Sequence, residues 1–137
     1  MKADCIFCRI VAKQIPASVV FEDQATLAFM DLGQVNPGHV LVACKAHADN
    51  IYGLDDAQAA AVFRTAARVA RAIRDAFNPP GLSVYQANGK PAGQTVFHFH
   101  LHVLPRHDAD GMQLVWPVKN PPREVLEDYA GRLRARL

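Results

Sequence analysis

Three histidines occupy alternate positions in the C-terminal half of the chain, at His98, His100 and His102. Large apolar residues lie between and around them, so residues 96–104 are predicted to form a β-strand. Because alternate residues of a strand share a face, the three imidazoles are expected to point to one side of the sheet. The opposite face is expected to pack under a helix, and it carries Phe97, Phe99, Leu101 and Val103.

Aligned imidazoles fit three interpretations. They can be solvated side chains without a role, ligands of a catalytic metal with an open position, or the centre of covalent catalysis. In covalent catalysis one neutral imidazole attacks an electrophile such as phosphorus, while its neighbours fix its tautomer. Gln94 and Thr95 precede the triad and favour this chemistry, because they offer neutral hydrogen-bond donors suited to a phosphoryl oxygen. Residues 87–104 contain no carboxylate that would support a metal ligand.

The N-terminal pair Cys5 and Cys8 has the spacing of a metal-binding or redox-active pair. The chain has three cysteines, an odd number that argues against a disulfide framework. Cys44 lies in an apolar run and is expected to be a small buried residue. A closed zinc site would need two further nitrogen or sulfur ligands, and a metal-free turn with two reduced thiols is the alternative.

Composition favours one globular domain that spans residues 1–137, with 50% hydrophobic and 20% charged residues. A net charge of +2 is too small to indicate nucleic acid or an anionic membrane as a partner. The sequence contains no run that resembles a signal peptide, and no apolar stretch near 18 residues, the length that suggests a membrane span. We therefore expect a cytoplasmic protein.

The elements that must position these residues alternate between short strands and helices. A short helix or turn is predicted over residues 5–12, and a capping box of Asp55 and Gln58 is predicted to start a long helix that ends at Asn78. Prolines at 121–122 are predicted to open a C-terminal helix. The predicted strands are residues 19–22, 26–30, 39–44, 82–86 and 96–104.

The long helix has apolar residues at helical spacing, which predict the face that covers the sheet. These residues are Val62, Phe63, Ala66, Val69, Ala70, Ile73 and Phe77. Consecutive strands with one long helix inserted predict an α+β fold, built on a mainly antiparallel sheet of about five strands.

Residues 93–104 resemble the signature of the histidine triad (HIT) superfamily, in which three histidines alternate with apolar residues. Further segments are similar, in the same order, to the nucleotide-binding Hint branch of that superfamily. They are residues 5–10, 15–17, 21–23, 27–31 and 37–42. The resemblance implies the HIT fold and an enzyme that hydrolyses nucleoside 5′-phosphoramidates or related nucleotidyl compounds, preferably of purines. A dinucleoside polyphosphate hydrolase, a nucleotidyl transferase and a nucleotide-binding scaffold without strong catalysis are the alternatives.

The resemblance also implies residue roles. His100 is expected to attack the α-phosphorus and form a covalent nucleotidyl-histidine, which water then hydrolyses. His102 is expected to bind a phosphate oxygen or orient the nucleophile, and His39 to hydrogen-bond the triad from a separate strand. Gln94 and Thr95 are expected to hold the phosphate and the leaving group. Thr95 stands where the branch often has serine.

The nucleoside is expected to contact Asp31, whose carboxylate can accept two hydrogen bonds from the ribose hydroxyls. Asn88 is a candidate contact to the phosphate or leaving group, although Ala87 stands where the family often has an asparagine. The residues implied to wall the base pocket are Ile6, Phe7, Ile10, Phe29 and Leu32. Core packing for the aromatic and aliphatic residues, and a turn role for Asp31, are the alternatives.

Some bacterial HIT proteins, which this chain resembles, hold a zinc ion with two cysteines, a later histidine and the first triad histidine. The corresponding residues here are Cys5, Cys8, His47 and His98. The resemblance thus implies a structural zinc, no catalytic metal, and a homodimer whose sheets join across the interface. The tail that holds Met112, Leu114 and Trp116 is implied to reach towards the partner's active site.

Overall fold

Five antiparallel strands form one sheet. The computed structural model describes residues 2–113 and 115–137, so Leu114, assigned above to the tail, lies outside the described residues. The strands are β1 (Val19–Glu22), β2 (Thr26–Met30), β3 (Val40–Cys44), β4 (Gly81–Tyr85) and β5 (His100–Arg106), and their order across the sheet is β1-β2-β3-β5-β4. The helices are α1 (Ile6–Val11), α2 (Asp56–Phe77) and α3 (Arg123–Arg134), with short 3-10 turns at Ile51–Gly53 and Lys90–Ala92. The predicted α+β fold is therefore confirmed.

The long helix α2 begins and ends where the sequence predicted. Asp55 and Gln58 form a reciprocal capping box at its start, and Asn78 ends it in a left-handed conformation with φ 44°. Most of its predicted face is buried against the sheet. The prediction that Phe63 and Phe77 belong to this buried face was wrong, because they are 55% and 49% exposed.

The core on the α2 side of the sheet explains why β5 alternates in character. Phe99, Leu101 and Val103 are at most 1% exposed and pack in one cluster with α2. Burying each such side chain contributes about 1.5–3 kcal/mol to stability. The residues of α2 in this cluster are Val62, Ala66, Val69 and Ile73.

The prediction that β5 starts at residue 96 was wrong, because the strand begins at His100. The Phe99 N–H donates to the carbonyl of Ala48, at 2.7 Å, and residues 96–98 form a bend. Only His100 and His102 of the three histidines therefore lie on the strand itself. Phe97, predicted to pack under the helix, is 40% exposed as a result.

The opposite face of the sheet is covered by α1 and carries His100 and His102. There Phe7 packs with β2 and β3 in a second cluster. Ala43 pairs with His100 and Leu41 with His102 across the β3–β5 ladder. His102 also pairs with Tyr85 of β4, so it is held by strands on both sides, whereas His100 is held by β3 alone.

Helix α3 forms at the predicted position, directly after Pro122, and contains no buried residue. Its apolar residues Leu126, Tyr129 and Leu133 are 51%, 49% and 67% exposed, and Trp116 before it is 73% exposed. Across the described residues, none of the helices combines the length and apolar character that crossing a bilayer requires.

Candidate active site and metal centre

A cavity of about 230 Å³ opens on the α1 side of the sheet. His100, His102, Asp31 and Thr95 line one part of it. The residues predicted to wall a base pocket also line it: Ile6, Phe7, Ile10, Phe29 and Leu32. Leu32 is fully exposed and stands at the rim. The cavity therefore brings polar groups of β5 and apolar groups of α1 and β2 to one place, as ligand sites generally do.

His100 is held in a single tautomer. Its Nδ1 lies 2.6 Å from the carbonyl oxygen of His98, and a carbonyl can only accept, so Nδ1 carries the proton. The lone pair is then on Nε2. The ring of Phe7 meets that of His100 edge to face at 5.0 Å and fixes its plane. Burial lowers the pKa of His100 and so keeps the imidazole neutral. The hydrogen bond to the His98 carbonyl and the charge of Asp31 act in the opposite direction but are weaker.

His102 faces a second imidazole and a carboxylate. Its Nδ1 lies 2.9 Å from Nε2 of His39 and 3.7 Å from Oδ2 of Asp31. Burial, together with the neighbouring His100 and His39, lowers the pKa of His102 to about 4. Burial also lowers the pKa of His39, which is only 3% exposed. Two neutral rings therefore share one proton between these nitrogens.

Gln34 holds the loop from Asp31 to His39 in place, although no sequence pattern marked this residue. Its Nε2 donates to the carbonyls of Asp31 and His39, and its Oε1 accepts from the N–H groups of Gly38 and His39 at 3.1 and 3.0 Å. Gly38 is required here, since its φ is +94° and an added Cβ would lie 3.0 Å from Phe77. Gln34 thus fixes the spacing of Asp31 and His39.

Four possible metal ligands converge beside the cavity, in the arrangement that the sequence resemblance implied. Nδ1 of His98 lies 3.3 Å from Sγ of Cys5, 3.6 Å from Sγ of Cys8 and 3.3 Å from Nδ1 of His47. Nδ1 of His47 is 3.3 Å from Sγ of Cys8. Tetrahedral zinc with bonds of about 2.0–2.3 Å places its ligand atoms roughly 3.3–3.8 Å apart, so these distances fit a zinc ion.

The outer hydrogen bonds of the two histidines also fit a metal. Nε2 of His98 lies 2.7 Å from the carbonyl of Cys44, and Nε2 of His47 lies 2.8 Å from Oδ1 of Asp49. Both acceptors hold the proton on Nε2 and turn the Nδ1 lone pairs towards the two sulfurs. Such outer partners orient histidine ligands at metal sites. The cluster can therefore hold a metal ion with two sulfur and two nitrogen ligands.

The family profile described as HIT domain matches residues 12–109 of this sequence. The chain belongs to this family. "Protein hit" of Bacillus subtilis is 47% identical over 114 residues, which cover 82% of this chain and 79% of that protein. The adenosine 5′-monophosphoramidase hnt1 of Schizosaccharomyces pombe is 36% identical over 114 residues, covering 82% of this chain and 83% of that one.

Solved HIT structures share the whole fold. A HIT family protein from Bacillus anthracis superposes with a TM-score of 0.96 at 39% identity, covering 100% of this chain and 99% of the other. A zinc-bound histidine triad family protein from Mycobacterium smegmatis superposes with a TM-score of 0.75 at 32% identity, covering 98% of both chains.

Two of the predicted site residues, Gln94 and Asn88, form hydrogen bonds with the backbone of the loops around the triad. Gln94 is 5% exposed, and its side chain forms hydrogen bonds with backbone groups. Its Nε2 donates to the carbonyls of Asp49 and Val96 at 2.6 and 3.1 Å, and its Oε1 accepts from the Gly89 N–H at 2.7 Å. Oδ1 of Asn88 accepts from the N–H of Ile51 at 2.8 Å.

Several residues of the cavity wall were not selected from the sequence. The segment between α1 and β1 contributes the largest group, and residues 15–17 of it had been noted only as part of the resemblance. The additional lining residues are Ile15, Pro16, Ala17, Ser18, Met30, Leu41 and Val96.

Proposed function

We propose that this HIT protein hydrolyses nucleoside 5′-phosphoramidates, preferably of purines, through a covalent nucleotidyl-His100 intermediate. The observation that carries the proposal is the tautomer of His100: Nδ1 is bonded to the His98 carbonyl, and Nε2 remains the free nitrogen of a side chain that lines the cavity. A neutral imidazole with a fixed lone pair is a ready nucleophile. The relative named adenosine 5′-monophosphoramidase supports this class of substrate.

Two displacements at phosphorus complete the reaction. Nε2 of His100 bonds to the α-phosphorus, and the P–N bond of the substrate breaks, so the amine leaves with that electron pair and takes up a proton from the solvent. The imidazolium that forms keeps its Nδ1 proton, which stays hydrogen-bonded to the His98 carbonyl. Water then adds to phosphorus and breaks the bond to His100, which releases the nucleoside monophosphate, a proton and the neutral imidazole.

The groups around His100 have supporting roles in this proposal. His102, tied to His39, orients the nucleophile or contacts a phosphate oxygen, and Thr95 offers its hydroxyl to the phosphate or the leaving group. Asp31 accepts the ribose hydroxyls. The apolar wall of α1 and β2, including Phe7 and Phe29, holds the base by stacking and burial.

The framework residues act indirectly. We place Gln94 and Asn88 as positioning residues, because their side chains bind the framework around the triad. Gln94 bonds to the backbone of Gly89 and Val96 in the loop before β5 and to that of Asp49 after β3, and Asn88 accepts from the Ile51 N–H. Gln94 sets the loop on which Thr95 and the bend at His98 depend. This reassigns the direct phosphate contact that the resemblance implied for both residues.

The cluster of Cys5, Cys8, His47 and His98 is proposed as a structural zinc site. Its distances and outer hydrogen bonds fit zinc, and a zinc-bound relative shares the fold. When bound, zinc would tie the N-terminal turn to the sheet and would hold the bend before β5. It supplies no step of the hydrolysis, because all four ligand positions are protein side chains.

A homodimer is also proposed. β4 is an edge strand, and its Leu82 and Val84 are 37% and 47% exposed. An unpaired strand edge beside exposed apolar side chains is suited to pairing with the same edge of a second copy. Light scattering that gives the mass of one chain would contradict this assembly.

The test of the proposed function compares hydrolysis of adenosine 5′-phosphoramidate by the wild type and by His100→Ala. We expect His100→Ala to bind adenosine monophosphate normally while its turnover falls roughly 10³-fold or more, because no other group replaces the nucleophile. His107→Ala, which alters an exposed histidine, is the matched control. Turnover retained in His100→Ala would contradict the proposal. A chelator that abolished turnover while the fold stayed intact would favour a catalytic metal.

A further inference from the structure

Asp31, His39 and His102 form a second convergence of possible metal ligands, with Asp31 and His39 at the two ends of the loop between β2 and β3 and His102 on β5. Among the residues that the structure describes, two groups of at least three such side chains converge, and two members of this group, Asp31 and His102, line the cavity. Nε2 of His39 lies 2.9 Å from Nδ1 of His102 and 3.5 Å from Oδ2 of Asp31. Oδ2 of Asp31 lies 3.7 Å from Nδ1 of His102.

These three atoms make a triangle of the size that a metal ion needs. Bonds of about 2.0–2.1 Å in a tetrahedral zinc site place ligand atoms roughly 3.3–3.5 Å apart. The two distances to Asp31 are within a few tenths of an ångström of that range. The two imidazole nitrogens must separate by about half an ångström, which exchanges one hydrogen bond for two metal bonds.

The tautomers allow this exchange without loss of a proton. Nδ1 of His39 is buried and makes no hydrogen bond within the described part of the chain, so no neighbour occupies its lone pair and it can take up the ring proton. The proton can reside on Nδ1, which leaves the Nε2 lone pair for a cation. This freedom contrasts with His98 and His100, whose protons are fixed by carbonyl oxygens.

The surroundings distinguish this group from the cysteine cluster. Asp31 and His102 line the cavity, whereas His39 is buried behind them, so a bound ion would keep an open position towards the cavity. Two imidazoles and one carboxylate with an open position suit zinc and neighbouring transition metals. They do not suit Mg²⁺ or Ca²⁺, which prefer six or more oxygen ligands.

We infer that Asp31, His39 and His102 form a second, exchangeable zinc site, and that zinc bound there blocks the nucleotide pocket. The blocking effect rests on the proposed function, because it uses the roles assigned to Asp31 and His102. Oδ1 of Asp31 already accepts from the Gly33 N–H at 2.9 Å, so zinc on Oδ2 would take the oxygen that is left for a ribose hydroxyl. An ion bound beside His102 would also lie where the nucleotide enters the cavity. Zinc is therefore a reversible inhibitor that competes with the nucleotide.

Metal titration tests the site without any reference to turnover. Untagged protein whose cysteine cluster already holds zinc is titrated with further Zn²⁺ in a calorimeter. The titration is done once without and once with adenosine monophosphate. The wild type should bind one additional zinc per chain. His39→Gln and Asp31→Asn should each weaken it by more than the roughly 10–100-fold that loss of an outer partner costs. His107→Ala, the change at an exposed histidine, should leave it unaltered.

The outcomes separate the two proposals. A wild type that binds no additional zinc, or an additional zinc lost in His107→Ala but kept in His39→Gln, would overturn the second site. Uptake of zinc that adenosine monophosphate does not weaken would overturn the competition with the nucleotide. Zinc uptake and its response to adenosine monophosphate can both be measured even if the protein does not hydrolyse phosphoramidates, because both are binding measurements. Mg²⁺ at the same concentrations should produce no binding heat.

Discussion

The carbonyl oxygen of His98 accepts the Nδ1 proton of His100 at 2.6 Å, while the His98 ring points its own Nδ1 at two cysteines. One residue therefore links the proposed zinc cluster to the proposed nucleophile through a single backbone group. The bend before β5 makes this link possible, since it lets the side chain and the carbonyl of His98 face different partners.

Removal of a cysteine should uncouple the two sites. Cys5→Ser should lower the zinc content from one bound ion per chain to a small fraction, and should lower Tm by roughly 5–15 °C. We expect a milder loss of activity, because the His98 carbonyl loses its anchor but the Nε2 lone pair of His100 remains. Metal analysis and thermal unfolding measure both effects. Cys44→Ala is the matched control, since Cys44 is buried outside the cluster and its loss should spare the zinc. Equal zinc content in wild type and Cys5→Ser would contradict the assignment.

The ribose contact of Asp31 can be isolated by changing the substrate as well as the protein. Asp31→Asn should lower kcat/KM for the ribonucleoside phosphoramidate by about 10–100-fold, the effect of losing hydrogen bonds to a charged acceptor. A 2′,3′-dideoxy substrate should be equally poor with wild type and variant. If Asp31→Asn reduced kcat/KM for both substrates by the same factor, Asp31 would act elsewhere than on the ribose.

Gln94 should affect the loop and not one particular leaving group. Gln94→Ala removes three hydrogen bonds to backbone groups, and we expect the free energy of unfolding to fall by about 2–3 kcal/mol. Its kcat should fall by a similar factor for phosphoramidates with different amines. Asn88→Ala, which loses a bond to Ile51, should show a weaker form of the same pattern. An effect confined to one leaving group would instead indicate direct contact by Gln94.

The ion pair at the start of the C-terminal tail predicts a pH dependence of stability. Arg106 donates to Asp110 at 2.6 and 3.0 Å, and Asn36 and two backbone N–H groups also donate to this carboxylate. Arg106 above all holds the pKa of Asp110 well below its usual value of 3.8. Because the folded state binds the proton more weakly, this stabilisation is complete above pH 3.8 and is lost as the pH falls further.

Urea unfolding at several pH values checks this. Asp110→Asn should be less stable than the wild type at pH 7, and the difference should shrink only below about pH 4. A difference that already disappeared between pH 7 and pH 5 would show that a group other than Asp110 is responsible.

The sequence was most informative where structure depends on near neighbours. The capping box at Asp55 and the left-handed Asn78 bound α2 by local hydrogen bonds, and both ends were predicted. The start of β5 was not, because it is set by the hydrogen bond from Phe99 to Ala48, which is distant along the chain. The exposure of Phe63 and Phe77 was also missed, because helical spacing does not reveal how much of the helix surface the sheet covers.

The site shows the same division. Of the twelve catalytic and substrate-contact residues selected by resemblance to HIT proteins, nine line the cavity, and His39, Gln94 and Asn88 do not. The internal bonds of Gln94, the loop role of Gln34 and the short contact between His39 and His102 depend on the paths of the loops and the pairing of β3 with β5. None of these distances has a sequence signal. The cytoplasmic location and the single-domain organisation stay predictions.

The most direct measurement is the identification of the covalent intermediate. Wild-type protein is mixed with excess adenosine 5′-phosphoramidate, quenched under denaturing alkaline conditions within the first turnover, digested and analysed by mass spectrometry. We expect an adenylyl group on His100 of the wild type and no adenylyl group on the His100→Ala protein. An adenylyl group on another side chain, or a first turnover completed with no modified peptide at any quench time, would contradict the proposed covalent mechanism.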